Sequence, residues 1–288
     1  MNEEVENRLK GQFLDVSVPL HGHNHKFVNA LQSLIDSNYS HLFYAVIIQG
    51  SVATNEIVKY SDFDGLLIVK DEYMESKELK QFKKDSLKCI LEFDPLQHHG
   101  WFQIEQSELK NYPEDFLPSI IFRTSTLLYP IQYSFNLTLK MKSDIDYQKG
   151  LKIITTHMMN RVDNNWRPKN IFQLKGFLSQ IMLLPALYYS SKNNKGILKK
   201  ESFNAVKSDF TKEEWSVIQT ASDIRSSWDY VLNPIQAIIM KQPNRFFRVA
   251  TKKFVAPKIN HQTKKKLDNI FYYKLFLFLT KIENNLNY

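Results

Sequence analysis

The residues best suited to chemistry lie in one segment, Val46-Ile-Ile-Gln-Gly50-Ser51-Val-Ala-Thr-Asn-Glu-Ile-Val-Lys-Tyr-Ser61-Asp62-Phe63-Asp64-Gly-Leu-Leu-Ile-Val69. An apolar run ends in Gly-Ser, ten residues intervene, and Asp-Phe-Asp leads into a second apolar run. Glycine lets a backbone approach a phosphate closely, and serine adds a hydroxyl beside the exposed N–H groups of a turn. Aspartates at i and i+2 on a strand point to one face, roughly 6–7 Å apart. That separation lets both carboxylates hold two Mg²⁺ ions about 3.5–4 Å apart, the arrangement for in-line phosphoryl transfer. The intervening Phe63 faces the core. The chain carries its own control: Ser143-Asp144-Ile145-Asp146 repeats the Ser-Asp-x-Asp form, but no buried strand follows and no strand–Gly-Ser unit precedes it. That copy reads as a linker or a helix start.

The elements that must position the first copy are legible around it. Phe43 to Gln49 is short, continuously apolar and β-branched, and Leu66 to Val69 repeats that character, so both read as buried strands. Asn24 to Ser37 places Phe27, Leu31, Leu34 and Ile35 on one helical face, and Glu75 to Leu91 does the same with Leu79, Phe82, Leu87 and Ile90. Gln97 to Ile104 reads as a third strand, with Glu105 beginning a polar turn. From about residue 145 the pattern turns helical: Tyr147 to Val162, Ile171 to Ser191 with a kink expected at Pro185, Thr211 to about Tyr230 behind a Thr-x-x-Glu capping box, and Lys264 to Leu286. A mixed α/β front and an all-helical back follow, with domains expected over 1–144 and 145–288.

The segment resembles the signature of the DNA polymerase β-like nucleotidyltransferase superfamily: an apolar residue, Gly, Gly or Ser, a spacer of about ten, then Asp-apolar-Asp-apolar. Gly50 and Ser51 match the phosphate-cradling pair, Asp62 and Asp64 the metal-binding carboxylates. Gly65 stands where an apolar residue is usual. The fold resemblance spans roughly residues 40–110. More loosely, Leu184-Pro-Ala-Leu-Tyr-Tyr with Lys-Gly-Ile-Leu-Lys199-Lys200-Glu-Ser resembles the helix–turn–Lys segment that faces the nucleotide in antibiotic-type members. The resemblance implies an α+β fold, with an N-terminal nucleotidyltransferase-type mixed sheet and helices followed by an all-helical C-terminal domain. It implies an Mg²⁺-dependent enzyme, with two ions, moving a nucleoside monophosphate from ATP or another nucleoside triphosphate to an acceptor hydroxyl. Gly50, Ser51, Ser61, Lys199 and Lys200 are then the candidate nucleotide contacts. The family's third carboxylate has no counterpart in the strand after the helix. The expected position falls near His99, with His98 beside it, Asp94 at the entrance and Glu105 at the exit, and His99 could also serve as a general base. The departure leaves a second reading, a nucleotide-binding or protein-interaction module on the same fold.

Composition bounds these readings. The 288 residues are 43% hydrophobic and 24% charged, which excludes wholesale disorder, and the single cysteine, Cys89, excludes a disulfide framework and any zinc site built on several thiolates. The start of the chain, Met1 to Lys10, has no apolar core of a secretion signal, and Ile270 to Leu279, broken by Lys274, falls short of the roughly 20 residues a membrane span needs. A soluble cytoplasmic protein with no membrane partner is expected. Residues 1–140 carry 13 basic and 19 acidic side chains, a net of −6, and residues 141–288 carry 25 and 11, a net of +14. A polycationic, antibiotic-like acceptor would prefer the front, and an RNA acceptor the back. The basic, aromatic stretch Arg245-Phe-Phe-Arg248 with Lys252 and Lys253 reads either as a nucleic-acid track or as a solvated face over buried phenylalanines. His21, His23 and His25 read as a polar loop in preference to a transition-metal site, and Tyr188, Tyr189 and Phe203 as core.

Overall fold

In a computed structural model, residues 13–286 are described. The Met1–Lys10 stretch considered above lies outside them. The strands are β1 (Phe13–Pro19), β2 (Phe43–Gln49), β3 (Asp64–Val69), β4 (Phe102–Glu105), β5 (Thr126–Tyr129) and β6 (Ser134–Lys140). β1 and β6 pair antiparallel as a separate ribbon. The main sheet has the order β4-β3-β2-β5, antiparallel except for the parallel β3–β4 pair. β3 and β4 are joined by the helix expected from the Lys-Glu-Leu pattern, as a parallel pair requires. It runs Lys77–Phe93, and the Ser76 hydroxyl caps it by accepting the Leu79 N–H at 3.0 Å.

With α1 as Lys26–Leu34, α2 as the single turn Gly50–Ala53 and α3 as Lys77–Phe93, one face of the sheet is covered. Val46, Ile48, Phe63, Leu67 and Val69 meet Leu31, Ile35, Phe82 and Ile90 there, all nearly inaccessible to solvent. Each such side chain contributes about 1.5–3 kcal/mol through burial. Because side chains alternate along a strand, Gln49 and Asp64 belong to the other face.

The chain divides into two compact units. The first gathers residues up to 113, 121–144 and 232–256; the second holds 114–120, 145–231 and 257 onward. The sequence reading places a single boundary at 144, whereas residues 232–256 return to the first unit. These form α8 (Pro234–Met240) and α9 (Arg245–Ala250), numbered in chain order. Hydrogen bonds fasten them there: Arg248 donates to the carbonyls of Pro95 (3.2 Å), Gln97 (2.6 Å) and Met240 (2.8 Å), and Lys241 pairs with Glu92 at 2.6 Å. The returning segment brings five basic and no acidic side chains. The acidic front of the linear sequence is therefore largely neutralised in the folded unit.

The second unit is built on α4 (Tyr147–Asp163), α5 (Ile171–Asn193), α6 (Lys199–Val206), α7 (Lys212–Ser226), α10 (His261–Lys266) and α11 (Asn269–Leu286). The Asp146 carboxylate accepts the Gln148 N–H and starts α4, so the second Ser-Asp-x-Asp copy is a helix start. The Thr211–Glu214 capping box is complete. α5 continues through Pro185. It is long and apolar enough to cross a membrane, but 61% of its most apolar window is buried in the fold and it encloses the fully buried Lys175, as a core helix does. The last helix is two: Asp268 accepts the Phe271 N–H at 2.8 Å and opens α11 afresh, so the run expected from Lys264 breaks after Lys266.

Candidate active site

The site is assembled by register. β2 and β3 run antiparallel with Gln49 opposite Asp64, so the turn that begins at Gly50 lies against the first residue of β3. Gly50 has φ +64°, and a Cβ there would stand 2.7 Å from the Asp64 carboxylate. Only glycine fits. Gly65 departs from the expected apolar residue for a similar reason, because a side chain would collide with the indole of Trp101.

β3 begins at Asp64, so Asp62 occupies the turn before it and not the strand itself. Both carboxylates nevertheless reach the same side, because they meet at one atom: His99 Nε2 lies 3.4 Å from Asp62 Oδ2 and 3.3 Å from Asp64 Oδ1. His98 Nδ1 lies 3.7 Å from Asp62 Oδ2. Phe63 between them is buried in the core, as the alternation predicts.

What holds this arrangement is a residue the sequence does not advertise. Gln97, 4% exposed, donates from Nε2 to the Phe63 carbonyl (2.9 Å) and accepts the Phe63 N–H at Oε1 (3.0 Å). Its amide thus takes both polar groups of the residue between the two aspartates. The same Nε2 donates to the His99 carbonyl at 3.1 Å. The strand expected from Gln97 is confined to Phe102–Glu105 for this reason: residues 97–101 are a loop whose side chains and carbonyls serve the site. Arg248 closes the far side of that loop at the Pro95 and Gln97 carbonyls. Burial pulls its guanidinium pKa down, against the nearby Asp94 charge.

His99 is electrostatically poised. Burial acts to lower its pKa, but the Asp62 hydrogen bond, the Asp64 charge and the Gly100 carbonyl together raise it to about 9. Nδ1 lies 3.0 Å from the Gly100 carbonyl, so that nitrogen is the donor and Nε2 faces the carboxylates.

Of the other candidates for the third ligand, Asp94 is buried and accepts the Leu96 N–H at 3.0 Å, which makes it the cap of the 94–97 turn. Glu105 pairs with Val69, five residues along β3 from Asp64 and hence about 16 Å away. Ser51 stands in the α2 turn, half-buried. The Ser61 hydroxyl accepts the Val58 N–H at 3.0 Å and helps to close the turn before Asp62. Lys199 and Lys200 open α6 in the second unit. One residue escaped the sequence reading altogether: Gln49, 8% exposed, shares the Asp64 face, and its Nε2 has no hydrogen-bond partner among the described residues. A glutamine ending an apolar strand was the available signal.

His21, His23 and His25 draw their rings within 5.5–6.1 Å of one another, more ordered than a bare polar loop. Burial first, then the two neighbouring histidines, lower His21 to a pKa of about 4. The nucleic-acid track loses Arg248 to its buried role, while Phe246 and Phe254 are exposed and not buried beneath a basic face.

The donor atoms of Asp62, His98 and His99 all lie within 4.8 Å of one another, close enough to share one cation, with Asp64 adjoining through His99. One carboxylate oxygen and two imidazole nitrogens are donor types that a divalent cation can take.

No family model matches the chain, and no curated protein matches it. Among solved structures it is similar to the spectinomycin adenyltransferase AAD(9) from Enterococcus faecialis, whose crystal structure contains ATP and spectinomycin. The TM-score is 0.41 and the identity 15%, over 80% of this chain and 100% of that one. At this level of likeness the geometry of the site itself carries the functional reading.

Proposed function

We propose that the protein is a nucleotidyltransferase that moves a nucleoside monophosphate from a nucleoside triphosphate to an acceptor hydroxyl, of a small molecule or of RNA, releasing pyrophosphate. The observation that carries the reading is the convergence of the Asp62 and Asp64 carboxylates at one point beside the Gly50 turn. Asp62 and Asp64 would hold a divalent cation. Bound there, the cation supplies charge neutralisation for the phosphates and lowers the pKa of the attacking hydroxyl. Gly50 leaves room for the Asp64 carboxylate against the turn, and Ser51 offers a hydroxyl beside it. The Gln49 amide, lacking a protein acceptor, donates to whichever substrate oxygen enters. Gln97 keeps the two carboxylates in register by locking the Phe63 peptide.

The reading predicts that a nucleoside triphosphate with a divalent cation raises the melting temperature through ligand linkage, and that labelled nucleotide passes to an acceptor in cell extract. Turnover retained in both Asp62→Asn and Asp64→Asn would defeat it. A second reading has its own observation: the His99 imidazole, with its raised pKa, already bridges the two aspartates. That suits a nucleotide-binding module without transfer, which would show the thermal shift and no labelled product.

A further inference from the structure

We propose that His98 and His99 are metal ligands together with Asp62, with Asp64 adjoining through His99, and that the site therefore takes a first-row transition ion, for which Mn²⁺ serves as the probe, in preference to Mg²⁺. The inference rests on the reading of Asp62 and Asp64 as metal carboxylates. Donors around one first-row divalent ion stand about 3–3.5 Å apart, given metal–ligand distances near 2.1 Å. The spacings here are 3.3 Å from Asp64 to His99, 3.4 Å from Asp62 to His99 and 3.7 Å from Asp62 to His98. The two imidazole rings are 5.0 Å apart, close to the separation of two imidazoles on one ion.

The tautomer points the same way. Metal-bound histidines donate their second ring nitrogen to a carbonyl or carboxylate. His99 Nδ1 is so placed at the Gly100 carbonyl, 3.0 Å away, which turns Nε2 toward the two carboxylates. The loop is also built to present these rings, since Gln97 holds the His99 carbonyl and Arg248 the Gln97 carbonyl.

The donor chemistry then selects the ion. Mg²⁺ demands oxygen ligands in near-ideal octahedral order, whereas imidazole suits the first-row transition ions. Mn²⁺ shares the octahedral oxygen coordination of Mg²⁺, and its paramagnetism reports whether imidazole nitrogen is bound as well.

The test is to titrate the whole protein, stripped with chelator, with MnCl₂, following free Mn²⁺ by electron paramagnetic resonance and its ligands by electron spin echo modulation. The expected result is ¹⁴N modulation from directly bound imidazole, with at least about 30-fold more MgCl₂ than MnCl₂ needed to displace half the ion. His99→Gln should remove most of the modulation and weaken Mn²⁺ about 10- to 100-fold, while Mg²⁺ affinity changes less than about threefold. The wild-type spectrum decides the matter even if the variant folds poorly. Absence of bound Mn²⁺, bound Mn²⁺ without ¹⁴N coupling, or one-for-one displacement by Mg²⁺ would overturn the proposal. Nucleotide transfer supported by Mg²⁺ without ¹⁴N coupling would sink this inference and spare the enzymatic reading. Imidazole-bound Mn²⁺ in a protein that no nucleoside triphosphate stabilises would do the reverse.

Discussion

Ser61-Asp62-Phe63-Asp64 and Ser143-Asp144-Ile145-Asp146 share a pattern and little else. In the first, Phe63 is locked in the core and both carboxylates converge on His99. In the second, Asp146 turns back on its own chain to accept the Gln148 N–H and begin α4. The difference is supplied by neighbours: an antiparallel register that sets Gly50 beside Asp64, and a glutamine from 33 residues beyond Asp64 that takes both polar groups of Phe63. The copy whose middle peptide is held is the one whose carboxylates converge.

The largest expected effect separates the copies outright. Asp62→Asn or Asp64→Asn should lower nucleotide transfer by about 10³-fold, with unchanged far-ultraviolet circular dichroism; Asp144→Asn should leave transfer within about twofold, measured in the same labelled-nucleotide assay. Next is the clamp. Gln97→Met leaves the buried Phe63 N–H and C=O unsatisfied and should cost about 2–4 kcal/mol in urea unfolding. It should also reduce transfer more steeply than ligand affinity, since it displaces the carboxylates without removing them.

An acid outside both copies gives a contrast of medium size. Burial, and then the Asp115 charge, raise Glu114 to a pKa of about 7 against the Ser119 hydrogen bonds that lower it. The folded protein therefore holds this proton more tightly than the unfolded chain. The stability it confers is complete below about pH 4.5 and is lost as pH rises through about 7. Calorimetry of wild type and Glu114→Gln between pH 4.5 and 8 should show the wild-type decline flattened in the variant, by about 1–3 kcal/mol. A slope shared by both proteins would contradict it. The smallest effect is Asp146→Ala, which should cost about 1 kcal/mol as a lost helix cap while transfer continues unchanged.

Much of the positioning was legible in the chain. The run from Phe43 to Gln49 carries no charged side chain, the Thr211–Glu214 box announces its helix, and Gly50 stands where a side chain would strike Asp64. Illegible parts depend on partners distant in sequence. β1 and β6 pair across more than a hundred residues; Leu14, Val16 and Val18 and then Phe135, Leu137 and Leu139 alternate with polar residues, but nothing local says that the two segments belong together. Gln97 is one polar residue among several in Asp94–His99, and only the folded Phe63 peptide shows what it is for. The return of residues 232–256 escaped because Arg248, read as a surface cation, spends its donors on three buried carbonyls. The same donors explain why the linear charge contrast did not carry over into the units.

The Arg248–Gln97 bond joins residues 151 positions apart. A ribosome adding about 5–20 residues per second exposes the Asp62–Asp64 segment and its loop some 10–30 s before the arginine that braces them. During that interval the nascent chain owns its acidic pair but not the arginine that braces the 97–101 loop, so this part of the scaffold is completed late in synthesis.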